Sequence, residues 1–231
     1  LAVSAFLFDA GSLNAATHSE ELANPNDPVK ADYRRYQFGG SFGGPIVQNK
    51  AFYFGAIERT QQDTSQQVAT LGLYPSADGT YATPYRENLL TVKQTTTINP
   101  SQYLSVRYGR NSNTQPYGAA LRSAPSFWST SKNTFNSINA NHNWVLGGGR
   151  LNEFIFQYAD FSNQMSSRSN QPQQSFPNGV TIGYNSNTPQ TTIQHKFQFR
   201  DDFSWHASGG GGLGHDLKTG FNFIYEPRLY I

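Results

Sequence analysis

The chain has 231 residues, only 14% of them Asp, Glu, Lys or Arg, with 17 Phe, 13 Tyr, no cysteine and a net charge of +2. Soluble domains carry roughly 25% charged residues and disordered chains are poor in aromatics, so the mixture is odd for the first class and unlike the second. The absence of cysteine removes any disulfide framework and any thiolate metal site, and so small a charge gives no reason to expect a nucleic-acid partner.

A run of roughly 20 apolar residues, the length a membrane-spanning helix needs, is missing. The mean hydropathy is −0.59. Neither observation bears on a membrane barrel, whose strands alternate and average to a polar score. The chain opens on Leu1-Ala2-Val3-Ser4-Ala5-Phe6-Leu7-Phe8, which reads as the middle of a strand. No basic leader with a cleavage site precedes it. The expectation is an internal piece, residues 1–231, of the N-terminal part of a barrel, with signal peptide, plug and remaining strands lying elsewhere.

In chain order the pattern predicts nine strands near 1–8, 36–43, 51–61, 87–98, 102–112, 133–144, 151–164, 191–206 and 215–231. Long connections at 9–35, 62–86, 113–132 and 165–190 alternate with short links at 44–50, 99–101, 145–150 and 207–214. Structureless loops of this length are uncommon in compact soluble domains. Outer-membrane barrels alternate short periplasmic turns with long extracellular loops. The fold expected is therefore all-β, an antiparallel transmembrane β-barrel.

Within the strands the side chains sort by a period of two, which places one set on each face. Leu104, Val106 and Tyr108 oppose Ser105 and Arg107. Ile138, Ala140 and Trp144 oppose Ser137, Asn139, Asn141 and Asn143. Phe154, Phe156 and Tyr158 oppose Glu153 and Gln157, with Ile155 breaking the second face. Ile193, Phe197, Phe199, Phe203 and Trp205 oppose Gln194, Lys196, Gln198, Arg200, Asp202 and Ser204, with Asp201 an exception and His195 an unexplained polar residue on the apolar side. Leu217, Phe221, Phe223 and Tyr225 oppose Lys218, Asn222 and Glu226. Strand 51–61 is apolar on both faces, so its register is open. Trp144 and Trp205 sit beside short turns, where amphipathic rings favour the headgroup zone.

A soluble antiparallel sandwich would alternate in the same way. Against it, large aromatics on nearly every apolar face would overfill a small core, and several strands exceed the usual 5 to 6 residues.

Motifs for chemistry are weak. Gly39-Gly40-Ser41-Phe42-Gly43-Gly44 lacks the dinucleotide spacing and runs into Pro45, and the run from Gly209 lacks the Lys-Ser/Thr of a phosphate loop. His18, His142, His195, His206 and His215 show no metal-ligand spacing. The adjacent pairs Glu20-Glu21 and Asp201-Asp202 would point to opposite strand faces, and no serine sits in a nucleophile elbow. No catalytic, cofactor or metal site is expected, and no enzyme. The residues to watch are the charges expected to face the lumen: Arg107, Glu153, Lys196, Arg200, Asp202 and Lys218. They would contact a plug, bias solute passage or solvate a water-filled interior.

The stretch from Tyr36 to Gly55, with Gln37, Phe38, Gly39, Gly40, Gly43, Gly44, Pro45, Lys50, Phe52, Phe54 and Gly55 at its fixed positions, resembles the hairpin hallmark of Oar-like TonB-dependent receptors, outer-membrane transporters that often carry a carboxypeptidase-regulatory-like domain. Phe8 to Ala15 resembles that family's next-upstream segment, with Asp9-Ala10 in place of its Arg-Asn. The resemblance implies a plugged barrel of about 22 strands in the outer membrane. It implies energised uptake of an unidentified ligand, with outer-membrane lipid, the protein's own plug and the TonB complex as partners. Glycines in the motif keep the strand slim for something packing on it, and Pro45 is expected to end the ladder. An outer-membrane adhesin or surface-structural barrel, and a soluble glycan-active or glycan-binding β protein, stand as alternatives.

Overall fold

The computed structural model describes residues 1–9, 21, 33–208 and 214–230. Nine principal strands follow one another: β1 (Ala2–Asp9), β2 (Tyr33–Val47), β3 (Ala51–Val68), β5 (Tyr85–Asn99), β6 (Gln102–Tyr117), β7 (Ser129–Gly147), β8 (Arg150–Ser167), β11 (Gln190–Ser208) and β12 (Gly214–Tyr230). Three short ones, β4 (Gly79–Ala82), β9 (Gln174–Ser175) and β10 (Thr181–Ile182), lie inside long connections where no strand was expected. The principal strands pair antiparallel in chain order, from β1 at one edge to β12 at the other, and form one open sheet; β4 pairs with β3, and β9 with β10 makes a separate two-stranded ladder. No helix among them is long and apolar enough to cross a membrane.

Each long strand runs well beyond what a bilayer requires. β7 and β11 have 19 residues and β3 and β8 have 18, whereas about 9–11 span the hydrocarbon. In β3, β6, β7 and β8 most of the excess over the expected bounds lies on the long-connection side, where the apolar alternation stops; β2 and β11 also run two to four residues further towards the short turns.

At the opposite end the links are tight. Gly147, Gly148 and Gly149 all take positive φ, 78, 59 and 70°, a run that only glycine accepts without strain. Asn99 closes another turn by accepting bonds from the Ser101 amide (3.0 Å) and hydroxyl (2.9 Å) through Oδ1. The turn between β11 and β12 lies largely outside the described residues. Register shifts at Pro45/Val47, Thr97/Asn99 and Val145/Gly147 flank the three described turns, bulges of the kind that bend strands at sheet rims.

Pro45 does not end the ladder. It pairs with Phe52 and β2 continues to Val47, because the adjacent bulge relieves the demand for an N–H at that position.

Candidate functional site

Cross-strand partners share a face, so the registers fix both surfaces of the sheet. One row reads Val92, Tyr108, Ile138, Tyr158, Phe197, Tyr225 from β5 to β12. The next reads Val106, Ala140, Phe156, Phe199, Phe223. Aromatic contacts tie this face together: Tyr158 and Phe197 at 4.8 Å between centroids, Phe156 and Phe199 at 5.2 Å, Phe203 and Trp205 at 5.6 Å. Most of its large apolar side chains are exposed, among them Phe221 at 59%, Phe223 at 55% and Ile57 at 61%. A continuous apolar surface of this extent requires a non-aqueous neighbour.

The same registers settle β3, which the pattern left open. Tyr53, Gly55 and Ile57 join the apolar face, and Phe52, Phe54 and Glu58 the other. Tyr36, Phe38 and Phe42 lie on the apolar face with them. Phe42 is directly opposite Gly55, and a Cβ on that glycine would meet the Phe42 ring at 2.7 Å. The phenyl ring thus covers a bare glycine. A Cβ on Gly39 would stand 2.6 Å from the Ile57 carbonyl oxygen, and on Gly43 2.8 Å from that of Tyr53. Gly39, Gly43 and Gly55 of the hairpin motif are thus demanded by the wall's own strand packing, whereas Gly40 and Gly44 meet only ordinary contact distances.

Asp201 and His195, the two residues of β11 that stood out on its apolar side, are both satisfied. Asn152 donates to Asp201 Oδ1 at 2.8 Å. His195 sits 3.2 Å from Asp160 and 3.1 Å from the Tyr158 hydroxyl, at the end of the apolar stretch nearest the long connections.

All six charges singled out from the sequence fall on the second, polar face. Four meet in one network: Lys218 Nζ lies 3.0 Å from Glu153 and 3.3 Å from Asp202, whose carboxylate is also 2.6 Å from the Arg200 guanidinium. Two cations and two carboxylates close on themselves there. Arg107 and Lys196 stand apart from it. Arg107 is opposite Lys93, a cation that period-two reading had not singled out, and beside Asn139.

Nearer the long connections the polar face carries a chain of amides. Asn111 donates to Glu87 (2.7 Å), Asn113 to Asn111 (3.1 Å), Asn133 to Asn113 (2.9 Å) and Asn163 to Asn133 (2.7 Å). The Asn-x-Asn spacing of 111 and 113 was its signal in the sequence. Next to the chain, Phe135 and Phe161 are cross-strand partners on this face, and with Gln157, Ala159, Gln194 and Lys196 they line a cavity of about 140 Å³.

Beyond the sheet, three long connections fold together into a cap. Here, not in the sheet, lie the most buried large side chains, Trp128 and Val180 at 0%, and Val68 and Ala124 are buried as well. Ala69 N donates to Leu121 O (2.8 Å), Thr181 N to Arg122 O (3.0 Å) and Ala124 N to Thr181 O (2.9 Å), joining all three segments. Trp128 donates its indole N–H to Ser123 O at 2.8 Å, meets Tyr81 edge-on at 6.0 Å and lies under the Arg168 guanidinium at 5.8 Å. Burial lowers the Arg168 pKa from its ordinary value. Thr70, also fully buried, holds Asp78 through its hydroxyl at 2.7 Å. The connection spanning 9–35, and the upstream family-like segment past Asp9, lie outside the described residues apart from Glu21 and the start of β2.

A family model described as an outer membrane beta barrel domain matches residues 8–82. Among solved structures, the outer membrane transporter YddB from Escherichia coli superposes with a TM-score of 0.75 over 97% of this chain, at 11% identity. The fold is that of an outer-membrane β-barrel. The barrel segment spans 30% of the YddB chain, and no curated protein matches it. Its place is the outer membrane, with the apolar face as the surface that lipid covers.

Proposed function

We propose that this segment is part of the wall of a TonB-dependent outer-membrane receptor, of the Oar-like kind, that takes up a ligand by energised transport. The observation that carries the reading is the hairpin from Tyr36 to Gly55. Its glycines and Phe42 pack as an integral part of a two-faced wall, and its sequence resembles the family's hallmark. The likeness in fold to YddB, itself an outer membrane transporter, supports the transport half.

In this reading the short turns are periplasmic and the cap is extracellular, as in outer-membrane barrels generally. The polar face, with Arg107, Glu153, Lys196, Arg200, Asp202 and Lys218, lines the lumen. There it meets a plug supplied by the same protein, through which the TonB complex acts. The segment itself has no catalytic role and holds no cofactor. A co-folded cap suits ligand capture, since a preformed surface spares the ordering cost of binding.

The test is formaldehyde cross-linking of the full-length receptor, in outer-membrane vesicles, to a purified TonB C-terminal domain. A cross-linked product that disappears when the receptor's N-terminal region is deleted is the expected result. No product under conditions that capture a known TonB-dependent receptor sinks the proposal in favour of an adhesin or surface-structural barrel.

A further inference from the structure

On the polar face, apolar rings and uncharged hydrogen-bonding groups converge around a cavity between β7, β8 and β11. Phe135 is 39% exposed there, although it points away from the lipid-covered surface. It faces Phe161 across β7 and β8, and both border the cavity of about 140 Å³ whose floor is the small side chain of Ala159. Gln157 and Gln194 complete the rim with Lys196, and no carboxylate lines it. The amide chain through Asn111, Asn113, Asn133 and Asn163 runs alongside. Further along the same face of β7, towards the short turns and outside the cavity, Asn141 and Asn143 each have a buried Oδ1 with no partner.

Each feature selects among ligands. The exposed ring of Phe135, with the half-buried Phe161 beside it, presents apolar surface to water, which costs free energy unless something apolar and flat covers it. Amide side chains both donate and accept, which suits a ligand dense in hydroxyls that do both. The cavity is well below the several hundred Å³ of pockets for drug-sized ligands, so it holds one small ring and excludes a macrocyclic chelate. The absence of carboxylates and the presence of a single ammonium make it a poor seat for a cation. A pyranose meets all four demands: its C–H face covers a phenyl ring while its equatorial hydroxyls reach the amides.

We propose that Phe135, Phe161 and the neighbouring amides form a subsite for an oligosaccharide, with one sugar ring seated in the Ala159-floored cavity. The inference rests on the uptake reading above, for which it names the class of ligand. Phe135 and Phe161 supply the apolar contact, Gln157 and Gln194 fix the ring's orientation, and the amide chain receives the next residue of the saccharide.

The experiment is isothermal titration of the full-length receptor in detergent with a panel of linear hexasaccharides of glucose, mannose, xylose and galactose. At least one is expected to bind the unmodified receptor. F135A and F161A are each expected to weaken that binding roughly tenfold, the size of an aromatic contact expressed as affinity. F135Y should retain it, and N222A, on the same face but outside the cavity, should leave it unchanged. Heat-modifiable gel migration confirms that each variant folds. No binding by any hexasaccharide, or binding indifferent to both phenylalanine substitutions, overturns the proposal. The two readings fail separately: sugar binding without a TonB-domain cross-link sinks the uptake reading alone, and a cross-link without sugar binding sinks this one alone.

Discussion

Replacing Trp128 by alanine should melt the cap and leave the barrel wall standing. The indole is fully buried, its N–H is spent on Ser123 O, and its ring is shared by Tyr81 and Arg168. Truncating a buried Trp to Ala costs about 3–5 kcal/mol. The orphaned Ser123 carbonyl falls within that range, since it regains water once the cap opens. The indole's own partners, Ser123, Tyr81 and Arg168, lie outside the ladder pairs of β5 to β8, so the loss centres on the cap. At about 1.4 kcal/mol per factor of ten, local opening should rise by roughly two to three and a half orders of magnitude. Native-state amide exchange reads it directly, at Ala69, Ala124 and Thr181, whose N–H groups bridge the three connections. W128F keeps ring area but loses the indole donor, and should fall between. Unchanged exchange at those amides in W128A, or simultaneous loss of protection in mid-strand amides of β6 and β7, would refute the claim that the cap has its own core.

Other consequences follow from the same geometry. Gly39→Ala drives a Cβ against the Ile57 carbonyl and should cost about 1–3 kcal/mol, as overpacking does, whereas Gly40→Ala, with its nearest neighbour 3.4 Å away, should be tolerated; thermal midpoints on heat-modifiable gels compare them. Phe199→Arg, on the lipid-covered face, should cost about 2–4 kcal/mol if it sits near the bilayer midplane, and Gln198→Arg, one residue earlier on the polar face, should be nearly neutral. Tyr85, at the loop end of β5 and outside the span, has its phenol pushed up to about 12, chiefly by burial and then by its hydrogen bond with Glu87. A raised folded-state pKa contributes stability that is complete below about pH 10 and is lost as the pH climbs to about 12. Difference absorbance between the native chain and Y85F should therefore show one phenol titrating near 12; titration near 10 would contradict the burial.

Much of the wall was legible because a pleated strand between lipid and a polar interior writes its two environments into alternate residues. Leu104 to Tyr108 and Phe197 to Trp205 carry that record plainly. It fails where the environments converge. Phe52 and Phe54 lie on the polar face and Tyr53 and Ile57 on the other, so β3 shows no alternation although its register is as definite as any. It also fails above the bilayer, where both faces are polar, which is why β7 and β8 were expected to stop short. Asp201 and His195 looked anomalous because their partners, Asn152 and Asp160, come from β8, about 35 to 50 residues away in sequence. The cap left no periodic trace at all. Its contacts join Ala69 to Leu121 and Ala124 to Thr181, pairings between loops that no local pattern encodes.

The central claim is that odd and even residues of a strand such as β11 face lipid and the polar interior respectively. Single cysteines can be placed at each position from 197 to 205, in a segment that has none of its own, and spin-labelled in the full-length protein, any cysteine elsewhere replaced by serine, in lipid bilayers. Power saturation then compares collisions with oxygen, which partitions into lipid, and with a water-soluble nickel chelate. The account predicts a strict period of two, with oxygen dominating at 197, 199, 201, 203 and 205, and the even positions shielded from oxygen. Accessibility without that alternation, or nickel access dominating at both parities, would contradict it.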